Sequence, residues 1–375
     1  MKRSFADIIR EEEEARSRKT AAKLPSWAAA GGLEFPTSLC LEQCSSEAAA
    51  RHKAEVVSGA ARLADLTGGI GVDSWAFASV CAKVLHNEMD GPLSAAAERN
   101  FERLGKHNVR CTRHMVAPGS DGWLMELQHF KPDWVYADPA RRDASGRKVF
   151  LLEDCSPDIL AILPSLWEVT ENILLKLSPM ADIPMLVSRL GGRLESVEVV
   201  SLAGEVKELL CVLRRSHVGE PLIKVSEISD TKPFSLSFMK SEEDSYPASF
   251  ASGINPGDTL LEPSAALLKA GCFNLLCSLY GLRKLSRFTH LYSASGDPGI
   301  PGAFKAFRVE RTYPFGNAGF KAAGKDYPKA EVTARNVPVS SDQLRSRLGC
   351  AAGGTAHIWA CTACGEKMLI ACSSI

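Results

Sequence analysis

The chain of 375 residues lacks the long apolar segments that mark secreted and membrane proteins. No stretch approaches the roughly 18 uninterrupted apolar residues that a membrane-spanning helix needs, so no membrane span is expected. The N-terminal stretch carries Glu11–Glu14 where a signal peptide needs an apolar core. The twelve cysteines follow no repeating frame. We therefore expect reduced thiols and a cytoplasmic location.

Metal-binding spacings are scarce as well. The C-terminal sequence CTAC, which runs from Cys361 to Cys364, has Cys350 and Cys372 nearby but no second CxxC pair that would complete a zinc site. None of the eight histidines has the spacing of a metal ligand or of a nucleophile's partner. The cysteines are interpreted as buried thiols, with zinc as the alternative, and no bound metal is expected.

An excess of charge of either sign is absent from the whole chain, since 44 Lys and Arg balance 44 Asp and Glu. The balance is uneven along the sequence. Residues 283–347 contain 12 basic and 5 acidic residues, whereas residues 1–282 contain 31 basic and 38 acidic ones. This basic segment indicates either a solvated surface or a face that binds phosphate.

The order of apolar runs predicts an α/β protein. Residues 1–58 form a helical lead-in, in which Ser45 and Ser46 cap a helix and Lys53 is expected to be a solvated neighbour or part of a lid. Strands and amphipathic helices then alternate over residues 59–222 and end in a hairpin-like pair, as in a doubly wound sheet. After about Pro221 the alternation weakens, and short strands and helices follow.

A glycine-rich turn follows the first strand of this alternation. In "ADLTGGIG", Asp65 precedes Gly68, Gly69 and Gly71, which permit a tight turn and a close backbone approach to a ligand. The third glycine of a dinucleotide fingerprint would fall at Ser74, so a nicotinamide dehydrogenase is disfavoured. Glu88 ends the next strand, where a carboxylate accepts hydrogen bonds from both hydroxyls of a ribose.

The fourth strand ends at Asp138-Pro139, in "DWVYADPARRD". The carboxyl ends of such strands line the ligand crevice. Asp138 and the Pro139 carbonyl are therefore candidate catalytic groups that would orient a bound substrate.

These motifs together resemble the class I S-adenosylmethionine-dependent methyltransferases. A closer resemblance is to a bacterial group of methyltransferases with a THUMP-like C-terminal domain. Six blocks carry it: "EQCSSE" (42–47), "DPARRD" (138–143), "LEDCSPD" (152–158), "LLKLSPMADI" (174–183), "EPSAALLKAG" (262–271) and "ARNVPVSSDQLRSRL" (334–348).

The resemblance implies a Rossmann-like, seven-stranded methyltransferase sheet over residues 59–222. It also implies small α+β modules, with a junction and ferredoxin-like domain over 223–320 and a THUMP-like domain over 321–375. The implied cofactor is S-adenosylmethionine, with Asp65, Gly68, Gly69, Gly71 and Glu88 as its binding residues. Near the expected adenine position the sequence offers Met115.

The acceptor motif departs from the Asp/Asn-Pro-Pro-aromatic pattern of amino methyltransferases, because Ala140, Arg141 and Arg142 replace its proline and ring. The two arginines offer fork-shaped donors for a substrate phosphate or a stacked base. The alternative is a brace that pairs them with Asp143, Glu153 or Asp154. Lys176, in the fifth strand, is expected to meet a substrate phosphate or to pair with Asp138 or Glu153.

Three hypotheses follow for the function. The first is methylation of RNA, either tRNA or rRNA, with RNA as the partner of the basic segment. The second is a non-catalytic RNA-binding protein on a methyltransferase scaffold, which the missing ring after Asp138-Pro139 motivates. The third is a methyltransferase that acts on a protein or a small molecule, with the basic segment as ordinary surface.

Overall fold

The computed structural model describes residues 5–141, 152–294 and 302–375, with the backbone alone described at residues 5–13 and at Arg141. The chain forms two compact units. Unit 1 comprises Met1–Val200 and Lys207–Pro221, and unit 2 comprises Ser201–Val206 and Leu222–Ile375.

Unit 1 alternates helices and strands after a helical start. Its helices are α1 (Phe5–Lys23), α2 (Pro25–Ala30), α3 (Ser38–Gln43), α4 (Glu47–Val56), α5 (Val72–Phe77), α6 (Gly91–Arg103), α7 (Asp121–Phe130), α8 (Ile159–Val169) and α9 (Ile183–Leu190). Its strands are β1 (Arg62–Asp65), β2 (Lys83–Asn87), β3 (Val109–Thr112), β4 (Trp134–Ala137), β5 (Ala140–Arg141), β6 (Cys155–Ser156), β7 (Asn172–Leu177), β8 (Leu194–Leu202) and β9 (Glu205–Arg214).

The sheet of unit 1 is doubly wound, as the sequence predicts. Seven of its strands follow the order β8-β9-β7-β4-β1-β2-β3. Strands β3, β2, β1, β4 and β7 pair in parallel, and β9 pairs antiparallel with β7. All four residues of β4 are buried, which is typical of a parallel strand covered on both faces. The expected α/β methyltransferase-like sheet is thereby confirmed.

Polar residues fix where the helices of unit 1 begin. The side chains of Ser46, Asp90, Asp158 and Asp182 each accept a hydrogen bond from a backbone N–H in the first turn of α4, α6, α8 and α9. These N-caps satisfy donors that have no partner within the helix. Trp27 of α2 is fully buried, with its ring centroid 6.2 Å from that of Trp75 in α5. The helical start of the chain therefore packs against the glycine-turn helix.

Unit 2 is a mixed α+β fold. Its strands are β10 (Leu222–Ile228), β11 (Phe234–Met239), β12 (Thr259–Pro263), β13 (Arg283–Lys284), β14 (Tyr292–Ala294), β15 (Phe304–Pro314), β16 (Lys329–Arg335), β17 (Ala351–Ala363) and β18 (Glu366–Ser374). Its helices are α10 (Lys240–Ser245), α11 (Ala265–Ala270), α12 (Phe273–Tyr280), α13 (Asn317–Asp326) and α14 (Ser341–Leu348).

A seven-stranded sheet with the order β13-β14-β12-β15-β18-β17-β16 organises unit 2. Side chains of its central strands alternate between two apolar clusters. Trp359 and Cys361 belong to one cluster, and Ile358 and Ala360 to the other. The alternation follows from the two-residue period of a strand, and it shows that both faces of the sheet are covered.

The structure bears on three expectations from the sequence: free thiols, metal sites and membrane spans. All twelve cysteines are free thiols, and burial raises the pKa of Cys361 to about 12. Among the described residues, no group of three or more His, Cys, Asp or Glu is placed to hold a metal ion. No described helix combines the length and the apolar character that crossing a bilayer requires.

Candidate functional site

The carboxyl ends of the parallel strands of unit 1 meet at one cavity of about 1540 Å³. The loop after β1, the residues after β2, the stretch that follows β4 and the end of β7 all contribute to its lining. This edge is where open α/β sheets bind their ligands. Predicted site residues from distant parts of the sequence meet at this cavity: Gly68, Gly69, Gly71, Glu88, Asp138, Pro139 and Lys176.

Each glycine in the loop after β1 is required for its own structural reason. A Cβ on Gly68 would lie 2.1 Å from the His86 ring, and one on Gly71 would lie 2.5 Å from the Phe101 ring. Gly69 and Gly71 have φ angles of 56° and 94°, in the left-handed region that favours glycine. The loop is held because the Gly68 N–H donates to the Asn87 carbonyl at 2.8 Å. Its backbone is consequently fixed and open toward the cavity.

Asp65 lies beneath this loop, buried, and is absent from the cavity lining. The oxygens of its carboxyl group accept hydrogen bonds from the Ser74 hydroxyl at 2.6 Å and from the Thr67 N–H at 3.0 Å. The Ser74 hydroxyl is also 2.9 Å from Nδ1 of His86. Burial raises the pKa of Asp65 to about 8 and lowers the pKa of His86 to about 3, so both groups are neutral at pH 7. The cofactor contact of Asp65 stays a prediction, and its observed contacts support the loop.

Glu88 is half-buried at the end of β2 and lines the cavity. Its two carboxylate oxygens accept the N–H groups of Gly69 and Asp90, each at 2.9 Å. An ionised carboxylate has about four acceptor sites, so capacity for two ribose hydroxyls remains. Met89 and Met115 are exposed and line the same cavity. The glycine turn, a carboxylate and apolar thioether side chains fit a nucleoside with a charged tail.

Asp138 and Lys176 form a salt bridge where the ends of β4 and β7 meet the cavity. Burial alone would lower the pKa of Lys176, but the carboxylates of Asp138 and Asp73 raise it above the usual lysine value. The Asp138 N–H donates to the Thr67 hydroxyl at 2.6 Å, which ties this segment to the glycine loop. The pairing of Lys176 with Asp138 is one of the three expected alternatives, and its contact with a substrate phosphate stays a prediction.

The stretch after Pro139 is held by backbone pairing that the sequence did not reveal. Strand β5 pairs antiparallel with β6, which places Ala140 opposite Ser156 and Arg141 opposite Cys155. Arg142 and Asp143 lie outside the described residues, so the substrate contact of Arg141 and Arg142 and the alternative brace both stay predictions. Glu153, one of the expected brace partners, forms a salt bridge with Arg189.

Behind the cavity lies a cluster of buried charges, which we call the buried ion cluster: Lys53, Asp73 and Glu208. Lys53 Nζ is 2.8 Å from Glu208 Oε1 and 3.2 Å from Asp73 Oδ1. Asp73 also accepts hydrogen bonds from the hydroxyls of Tyr136 at 2.7 Å and Ser45 at 3.0 Å. Although burial alone would raise the pKa of Asp73, the charges of Lys53 and Lys176 lower it, so Asp73 stays ionised.

The expectation that Lys53 is solvated is wrong, since its side chain is 0% exposed. It is buried because helix α4 turns it toward two carboxylates contributed by α5 and β9. A lysine in a short helix with charged neighbours gives no local sign of this. Asp73, which lines the cavity, and His86 beneath Gly68 were likewise missed.

Comparisons with known proteins concern both units. Two family models match the C-terminal part of the chain: a ferredoxin-like domain over residues 260–299 and a THUMP domain-like model over residues 304–374. No curated protein matches the chain. The crystal structure of a "putative methyltransferase" from Porphyromonas gingivalis W83 is 30% identical in sequence, with a TM-score of 0.85, and the match covers 96% of this chain and 88% of that one.

Other solved structures match about half of the chain. An rRNA methylase from Streptococcus thermophilus is 13% identical, with a TM-score of 0.32 over 46% of this chain and 95% of that one. The N-terminal domain of EvdMO1, solved with SAH bound, is 19% identical, with a TM-score of 0.35 over 55% of this chain and 96% of that one. Similarities at this level carry no argument about the reaction of this chain.

The first prediction concerns the buried ion cluster. Replacing Lys53 by methionine leaves Asp73 and Glu208 buried without their cation. We therefore expect the free energy of unfolding to fall by about 3–5 kcal/mol. The double variant Lys53→Met/Glu208→Gln removes one of the orphaned charges and should recover part of the loss. Five of the six tryptophans lie in unit 1, so tryptophan fluorescence during urea unfolding reports this unit. Equal destabilisation by the single and double variants would contradict the pairing.

The second prediction concerns Asp65, whose folded pKa of about 8 exceeds the ordinary value of 3.8. Between these values the folded carboxyl binds a proton that the unfolded chain releases. Its contribution to stability therefore falls as pH rises, by up to about 1.4 kcal/mol per pH unit. Asparagine is neutral throughout, so Asp65→Asn should gain stability relative to the parent from pH 5 to pH 8 in urea unfolding. The contribution of His86 is shared by both proteins and cancels. A difference that stays flat over this range would refute the protonated state.

Proposed function

Because the chain belongs to a family of methyltransferases with ferredoxin-like and THUMP-like C-terminal domains, we propose that it methylates RNA with S-adenosylmethionine as the methyl donor. The substrate would be a structured RNA such as tRNA or rRNA. Unit 1 would bind the cofactor and hold the acceptor, and unit 2 would bind the RNA backbone.

The observation that carries the proposal is the convergence of three motifs on one cavity. The fixed glycine loop, Glu88 and the Asp138–Lys176 pair come from the ends of β1, β2, β4 and β7. Each motif alone has a structural explanation. Their meeting at one edge of the sheet, within a family of methyltransferases, favours a catalytic reading over an inert scaffold.

The residues present fit S-adenosylmethionine. Gly68, Gly69 and Gly71 leave the loop backbone open toward the amino-acid end, and Glu88 offers free acceptor sites to the ribose. Met89 and Met115 offer apolar contact to the adenine, for which the sequence supplied no polar partner. When bound, the cofactor supplies an activated methyl group on a sulfonium, so the protein has mainly to orient the acceptor.

On the acceptor side, Asp138 and Lys176 would do the orienting. A carboxylate accepts the N–H of an amino group, which aims the nitrogen lone pair at the methyl carbon. Lys176 donates to Asp138 and the Thr67 hydroxyl holds its backbone, so the carboxylate has a fixed direction. The Pro139 carbonyl is the second candidate acceptor for the same amino group.

The RNA assignment is supported by the THUMP domain-like match and by the charge of unit 2. Part of the basic excess is structural, since Arg335 pairs with Glu262 and Arg311 pairs with Asp326. Arg283, Lys321 and Lys329 are exposed and, within the part of the chain that the structure describes, have no carboxylate partner. Such free cations bind phosphates and make affinity fall as salt rises.

The third prediction tests the acceptor site. With RNA from cells that lack the gene and labelled S-adenosylmethionine, the parent protein should transfer the label. Asp138→Ala should lower the rate roughly a hundredfold, because the acceptor loses its orientation. Calorimetry should show cofactor binding within a few-fold of the parent, since the glycine loop and Glu88 are unchanged.

A matched carboxylate control is Glu171→Ala. Glu171 forms an exposed salt bridge with Arg215, the kind of pair that contributes little to stability. This variant should transfer methyl groups at the rate of the parent. If the parent binds no S-adenosylmethionine, the catalytic proposal fails and the non-catalytic RNA-binding protein stands in its place.

The fourth prediction separates RNA from other substrates. Binding of total tRNA should weaken steeply between low and moderate salt, and the labelled product should be a modified nucleoside. Label recovered in protein or in a small molecule, together with salt-insensitive or absent tRNA binding, would favour the third hypothesis. Locating the modified nucleoside in the RNA would identify the acceptor.

A further inference from the structure

A small pocket of about 330 Å³ on unit 2 shares no lining residue with the cavity of unit 1. Three chain segments build it: one ending at Ser252, one running from Leu285 to Arg287 and the turn between β17 and β18. Backbone hydrogen bonds join these segments. The Ala251 N–H donates to the Lys284 carbonyl at 2.9 Å, and the Cys364 N–H donates to the Leu285 carbonyl at 2.8 Å. The pocket is therefore part of the fixed frame of unit 2.

One exposed aromatic ring lines this pocket, and a second lies beside its lining residue Arg287. Phe250 lines it and is 49% exposed, while Phe288, next to the lining residue Arg287, is 65% exposed. The Arg287 guanidinium carbon lies 5.2 Å from the centroid of the Phe288 ring. Large rings this exposed stabilise little in the isolated protein, because most of their apolar area stays in water. Their placement beside a guanidinium indicates a surface that stacks on a flat ligand.

The polar groups of the pocket are free to bind. Within the described parts of the chain, Arg287 has no carboxylate partner, and the hydroxyls of Ser252 and Ser286 have no hydrogen-bond partner. Leu285 and Ala251 of the lining are themselves buried. Exposed rings, one cation without a carboxylate partner and two free hydroxyls match a nucleotide, with its base stacked on a ring and its phosphate on the guanidinium.

We propose that this pocket, with Phe250, Phe288 and Arg287, holds an unpaired base of the RNA substrate and the phosphate beside it. The inference rests on the proposed RNA function. An unpaired base is required because the ring faces of a paired base are stacked inside the duplex. The basic segment 283–347, in which Arg287 lies, supplies the charge complementarity to a nucleic acid rather than to an apolar protein surface.

The fifth prediction is a binding experiment on the full chain without cofactor. Fluorescence anisotropy would measure the dissociation constant for a labelled 12-nucleotide single-stranded uridine RNA and for a duplex of equal length. Phe250→Ala and Phe288→Ala should each weaken single-strand binding about tenfold, with an unchanged salt slope. Arg287→Ala should weaken it and reduce the salt slope by about one. Duplex binding should change little in the two phenylalanine variants.

Two further variants sharpen the result. Phe250→Trp keeps a ring at the pocket, so it should retain affinity and show tryptophan quenching on RNA addition beyond any quenching of the parent's six tryptophans. Leu279→Ala removes a side chain that is 50% exposed elsewhere on unit 2, and it should bind like the parent.

The outcomes separate this inference from the proposed function. If the parent binds single-stranded RNA but the three alanine variants bind equally well, the pocket assignment is overturned and the RNA function stands. If the parent binds neither RNA, both fall. If light scattering shows a dimer that Phe250→Ala or Phe288→Ala dissociates, the rings belong to a contact between two copies and the pocket assignment is overturned.

Discussion

The candidate site depends on the salt bridges of Lys53, a lysine buried completely between two carboxylates. Lys53 belongs to α4, Asp73 to the helix after the glycine loop and Glu208 to β9. Charges taken out of water must be paired with good geometry, or the structure loses several kcal/mol. These pairs therefore fix the helical start of the chain against the sheet. The same start supplies residues from Pro36 to Ser45 to the cavity wall.

The effect of the cluster extends to the acceptor side through charge. Lys176 carries the second cation near Asp73 and Glu208, and it donates to Asp138. Tyr136, two residues before Asp138, donates to Asp73 at 2.7 Å. The arrangement of α4, α5 and β9 thus bears on the direction of the Asp138 carboxylate, although none of the three contains it. Protonated Asp65 adds no further negative charge to this region.

Sequence reasoning located the parts of the site that depend on local pattern. The glycine loop, Glu88 and Asp138 each follow a strand, and strand ends can be read from apolar runs and turns. It missed the partners that only the fold brings together. Lys53 and Glu208 are 155 residues apart. In the sequence, Ser74 stands out only because it occupies the position of the third glycine of a dinucleotide fingerprint. In the structure its hydroxyl contacts both Asp65 and His86. The short β5–β6 pairing was not predicted, because a two-residue strand is too short to show an alternating apolar pattern in the sequence.

The missing aromatic ring after Asp138-Pro139 has a physical consequence for how the acceptor is bound. A stacking ring would contribute roughly 1–3 kcal/mol to holding a base in the cavity. Under the proposed function, Asp138 and Lys176 would give the acceptor its direction but little of that binding energy, because the carboxylate must exchange water for the acceptor. An enzyme that has mainly to orient its acceptor can use the binding energy of remote parts of the substrate to hold the reacting groups in place. Under the proposed function, the exposed cations Arg283, Lys321 and Lys329 and the exposed rings of unit 2 would supply binding energy of this kind.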